Sequence, residues 1–176
     1  MPTRTPPPPA DAFKRLGEMI KDINFAMLTT VGPGGSLRSR PMGTQEVDLE
    51  HGLLWFFTSV DSPKVSEIAS EHEVGLAYAE PAKQKYVSVS GLAHLVRDPA
   101  KARQLWTPLA KAWFPGGVDD PKLALLRVHA TAAEYWDSPS SKMVQLFGLA
   151  QAAITGHPSR ALGENVKVPV PPAHLS

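Results

Sequence analysis

The chain reads as a mainly β fold with added helices, an α+β antiparallel barrel. Three observations carry that reading: about six runs of strand length, short turn-rich spacers between them, and helical periodicity confined to the ends and a few connections. Regular alternation of strand and helix is missing, which argues against a doubly wound parallel sheet.

A length of 176 residues with 43% hydrophobic content suits one domain with a real core, placed at 11–156. Before it, residues 1–10 form a proline-rich tail, expected to be disordered or polyproline-like. Phe13, Leu16, Ile20 and Ile23 then recur at helical spacing, an amphipathic helix over the core. FAMLTTV from Phe25 is the first strand, and Gly32 to Ser36 turns it into a second, Leu37 to Val47. Pro41 cannot donate to a ladder, which predicts an edge position or a bulge near Met42 and Gly43. Leu53 to Thr58 is the third strand, with a helix beginning at Ser62. Val74 to Ala79 and Tyr86 to Val96 follow as strands. Ser88, Ser90 and Gly91 make one face of the latter small and polar, with room for a flat group. Asp98 and Pro99 open a helix in which Ala102, Leu105, Trp106, Leu109 and Trp113 keep helical spacing until Pro115, the tryptophans being read as packing. Leu123 to Trp136 is the last strand, Met143 to Thr155 a short apolar helix, and 157–176 an aperiodic tail expected to be poorly ordered.

Composition removes several functions. There is no cysteine, so disulfides, thiolate catalysis and cysteine-ligated metals are out. The six histidines show no pair at metal-ligand spacing, and no metal is expected. A formal net charge of +1 predicts no general attraction to nucleic acid or membrane. No apolar run approaches the roughly 20 residues of a spanning helix and the N-terminus lacks a secretory pattern, so a cytoplasmic protein is expected. Asp119 and Asp120 are adjacent, which sends their carboxylates apart, and Ser138, Ser140 and Ser141 lack a nucleophile turn.

The most informative stretch is LLWFFTSVDSPKVSEI, Leu53 to Ile68. Ser62 suits an N-cap, Pro63 the first helical position, and Lys64 stands one residue further. Arg38 and Arg40, two apart on the preceding strand, leave the same face. Two readings stand on spacing alone: a phosphate site at the helix start, or an ordinary capped helix with solvated arginines.

Four segments in order, SRPM at Ser39 to Met42, WFFTSVDSPK at Trp55 to Lys64, VSVSGLAHL at Val87 to Leu95 and AEYWDSP at Ala133 to Pro139, resemble the flavin-binding split-barrel family of pyridoxamine 5′-phosphate oxidase, in its bacterial general stress protein branch. The resemblance implies a six-stranded antiparallel split β-barrel that forms a homodimer with FMN in clefts between the chains. It implies that Arg40, Pro41 and Met42 line the cofactor, that Phe57 and Thr58 sit beside it, that Ser62 and Lys64 hold its phosphate, and that Trp136 approaches the partner chain's flavin. For Trp136, a core position at a strand end is the other reading. Pro63 stands where the oxidase has an arginine and Tyr86 where it has a glutamine; of the basic residues the oxidase places downstream of its tryptophan, Lys142 could substitute for one but Leu146 falls where another is expected, which argues against pyridoxamine phosphate oxidation.

Two functions follow as expectations. One is an FMN-dependent oxidoreductase of the stress response, with a small-molecule or nicotinamide electron donor. The other is a carrier or sensor of flavin without turnover, FAD being admitted if the phosphate end is open. Deazaflavin reduction and haem handling, the latter with His94 or His129 as axial ligand, belong to the same fold.

Overall fold

The computed structural model describes residues 10–137 and 164–170. Helix α1, Ala10–Ile23, leads into β1, Phe25–Val31, through Asn24, whose φ is +66°. β2, Leu37–Asp48, and β3, Leu53–Ser59, precede α2, Pro63–Ser70. β4, Glu73–Glu80, β5, Lys85–Val96, α3, Pro99–Leu105, β6, Leu123–Asp137, and β7, Glu164–Pro169, complete the chain.

Every strand pair is antiparallel, in the order β3-β2-β1-β4-β5-β6-β7, and β3 also pairs with β6. That extra pairing closes β1 to β6 into a six-stranded barrel, as the sequence predicts. β6 is long enough to serve two partners on one edge: Leu123 to His129 face β3, and Ala132 to Asp137 face β7. β7 lies in the stretch read as a poorly ordered tail. Its Val166 and Val168, with Val170 just past its end, alternate at period two, and Val168 is buried in the main core. The helix expected over Met143 to Thr155 lies outside the described residues.

Period-two alternation assigns each strand an inner and an outer face. Ala26, Leu28, Leu54, Phe56, Leu76, Tyr78, Val87, Val89, Leu126 and Val128 fill the barrel. From α1, Leu16, Met19 and Ile20 add to this core, and Ile68 does so from α2. A smaller second core lies outside the barrel, where Leu123 and Leu125 of β6 and Trp55 and Phe57 of β3 are covered by Ala102 and Leu105 of α3.

α3 stops at Leu105, short of the expected Trp113. Pro108 forces the preceding residue out of the helical region, and Thr107 has φ −123° and ψ 153°; a 3-10 segment, Pro108–Ala112, then takes over. Trp106 still packs on Phe57, at 5.7 Å between ring centroids. Trp113 does not pack: it is 76% exposed, with Leu109 exposed beside it.

Pro41 meets its expectation through the split in the sheet. β2 pairs with β1 from Leu37 to Gly43, but with β3 only from Thr44 onward, and the register shift falls between Thr44 and Glu46. Among the described residues, the segment carrying Arg38, Arg40 and Pro41 therefore has a strand on one side only. Gly91 departs from its expected role. It sits at a register shift, and a Cβ there would stand 2.6 Å from the carbonyl oxygen of His129, so its smallness admits the β6 backbone.

Candidate functional site

Arg38 and Arg40 pair across the hairpin with Thr30 and Leu28, whose side chains are on the inner face. Both arginines therefore turn toward the barrel mouth under α2. There they meet Glu67, whose side chain is 4% exposed: Arg38 Nη1 donates to Oε1 at 2.9 Å, and Arg40 Nη2 to Oε2 at 2.8 Å. Thr30 Oγ1 also donates to Oε2, at 2.5 Å, while accepting from Arg40 Nη1. Thr30 and the Arg40 and Arg38 guanidiniums hold the Glu67 carboxyl below the usual glutamate range, against burial, which pushes it up.

On the same helix, one turn earlier, Lys64 reaches back. Its Nζ donates to Ser62 Oγ at 2.6 Å and to Thr58 Oγ1 at 3.2 Å. It has no carboxylate partner among the described residues. Burial lowers its pKa, the nearby Arg40 adds to the effect, and Glu67 opposes it. Ser62 is the N-cap residue and Pro63 fills the first turn, but the serine hydroxyl makes no cap hydrogen bond. The helix start is thus left without a side-chain acceptor, next to an ammonium and two guanidiniums.

The structure thereby brings together Arg40, Thr58, Ser62 and Lys64, with Arg38 beside them. Pro41 and Met42 follow Arg40 on opposite faces of β2, Pro41 exposed and Met42 buried in the core. The Phe57 ring is not in the cluster; it faces the second core, 6.3 Å from the Phe114 ring, because alternation sends it away from Thr58. Trp136 is also elsewhere. It pairs with Tyr86 and Asn165, twelve residues along β6 from Ala124, the partner of Thr58. At about 3.3 Å per residue that is about 40 Å of strand. Thr30 and Glu67 are the members that the sequence reading missed. The available signals were the placing of Glu67 three residues after Lys64 on one helix face and of Thr30 opposite Arg38 across a tight hairpin.

Three cations around one carboxylate leave an excess of two positive charges at a helix start. Fold and site together define an antiparallel split barrel with a cluster of cations at the start of α2. The chain belongs to the family described as pyridoxamine 5′-phosphate oxidase like, which it matches over residues 11–159. Among curated proteins, Protein bli-3 of Neurospora crassa is 29% identical over 175 residues, covering 86% of this chain and 84% of the relative. A solved general stress FMN/FAD binding protein from Xanthomonas citri is 34% identical, covers 73% of this chain and 92% of its own, and has a TM-score of 0.63. A Jannaschia structure with a TM-score of 0.72 covers 92% of this chain and 99% of its own at 24% identity, which shows the fold.

Among the described residues, no helix is long and apolar enough to cross a membrane.

Proposed function

We propose that this chain is an FMN-binding protein of the general stress type, anchoring the flavin by its phosphate. The observation that carries the reading is the convergence of Lys64, Ser62, Thr58 and Arg40 on an uncapped helix start. The residues present fit such a group. The cation excess suits a phosphate dianion, and the edge of β2 from Leu37 to Gly43, unpaired among the described residues, offers backbone groups to a flat heterocycle. The Xanthomonas relative, 34% identical, is described as binding FMN or FAD, which supports the same assignment. Bound flavin would supply the redox chemistry; this chain's residues would hold the phosphate and shape access to the ring.

A homodimer belongs to this reading. Phe25, Met27 and Tyr86 are 52%, 45% and 41% exposed on the outer face, and Pro41 pairs with Met27 there. This apolar surface suits a second copy. Trp136, twelve residues along β6 from Ala124, would in this reading approach the flavin of the partner chain. A cytoplasmic location completes the reading.

The test is flavin retention after desalting and the affinities of FMN and riboflavin. FMN should bind more tightly, and Lys64→Ala or Arg40→Ala should weaken FMN by about tenfold to a hundredfold while leaving riboflavin unchanged. Equal affinities of the unmodified protein for the two flavins would overturn the reading. Turnover is decided by adding NADPH without oxygen: bleaching of bound FMN marks an oxidoreductase. The alternative, a carrier or sensor without turnover, is favoured by one observation: the carboxylate of the cluster, Glu67, is already bonded through both oxygens to Thr30, Arg38 and Arg40. In these bonds it serves as an ion-pair partner and not as a base.

A further inference from the structure

The arginines of the candidate site already hold an anion, and it belongs to the protein. Glu67 receives Arg38 on one oxygen and Arg40 on the other, as a phosphate would receive them. Both terminal nitrogens of Arg40 are engaged, Nη1 by Thr30 and Nη2 by Glu67. Lys64, bonded only to hydroxyls, is the cation left without a carboxylate among the described ion pairs.

We infer that Glu67 is a built-in competitor for the phosphate: its carboxylate occupies the arginine pair, and a phosphate monoester recruited by Lys64 and the helix start draws the guanidiniums away from it. This rests on the phosphate-anchored reading above. Thr30 gives the device its reversibility, because its hydroxyl keeps one oxygen of Glu67 bonded when an arginine departs. A singly charged group gains too little from the cluster to displace a buried carboxylate held by three donors, whereas a dianion meets the full cation excess. Glu67 thus sets a charge threshold for occupancy of the site.

The experiment titrates the full chain and its Glu67→Gln variant with FMN, riboflavin and inorganic phosphate at low and high salt. Removing the competing charge should tighten FMN and inorganic phosphate by on the order of tenfold at low salt, less at high salt, and leave riboflavin unchanged. A purely positioning carboxylate predicts the opposite sign, so unchanged or weakened phosphate binding in the variant overturns the inference. If the variant does not fold, the side-chain carboxyl carbon resonance of Glu67 in the unmodified protein decides. It should move on addition of FMN or inorganic phosphate and stay with riboflavin; no movement overturns the inference. Equal binding of FMN and riboflavin by the unmodified protein would sink the flavin reading, with the phosphate titration still deciding the role of Glu67.

Discussion

Thr30 Oγ1 and Glu67 Oε2 are 2.5 Å apart and both residues are buried, so the β1–β2 hairpin and α2 are joined by a hydrogen bond that water does not reach. Thr30→Val keeps the shape and removes the donor. It should destabilise the fold by about 1–3 kcal/mol, the cost of an under-satisfied buried carboxylate. Urea unfolding followed by tryptophan fluorescence would measure it, and an unchanged midpoint would show that the arginines alone satisfy Glu67.

Acid should weaken the same junction. The folded-state pKa of Glu67 is lowered from its ordinary 4.5, so its contribution is complete above that value and disappears as pH falls through the folded pKa. The stability gap between the unmodified protein and Glu67→Gln should be constant from pH 7 to about 5 and shrink below about 4. Unfolding midpoints across that range test the sign.

A second buried polar pair spans the barrel interior. Thr44 Oγ1 and Tyr78 Oη are 2.9 Å apart, and burial raises the Tyr78 phenol above its ordinary pKa. Tyr78→Phe should cost about 1–2 kcal/mol in urea unfolding. The phenol should also resist ionisation in an alkaline ultraviolet titration, the direction burial imposes.

Gly91→Ala should be among the costlier single-methyl additions. The new carbon would meet the His129 carbonyl oxygen at 2.6 Å and Val128 Cγ1 at 2.8 Å, so β5 and β6 must separate at their register shift. A loss of about 1–3 kcal/mol is expected, read from the thermal midpoint. By contrast, Gly75→Ala, whose added carbon would have its nearest neighbour at 4.0 Å, should change little.

Strand positions and helix start were legible because they are written locally. Alternation marked β1 to β6, and Ser62-Pro63 marked the start of α2. The parts that sequence missed are set by distance in space. Glu67 looked like one more polar residue on a short helix, and only the folded hairpin places two arginines against it. The convergence of Arg40 and Lys64 was readable because both lie within two strands and a turn of each other. The overlong helix is a different kind of miss, since Pro108 was a local signal that helical spacing on both sides of it outweighed. For β7, the alternation of Val166 and Val168 is too short to stand out in a stretch that reads as aperiodic; Pro169 is tolerated there because it ends the strand on an outer edge.

β3 and β6 pair residues 64 to 76 positions apart in sequence, whereas β1–β2 and β4–β5 form across short connections. Ring closure is therefore the entropically demanding step of folding, and it should follow formation of the hairpins, on the order of milliseconds to seconds. β7 stands outside that ring, so it docks on an edge of β6 that closure has already put in place. Mutations at the β3–β6 seam should accordingly slow folding, while those in β7 should chiefly speed unfolding.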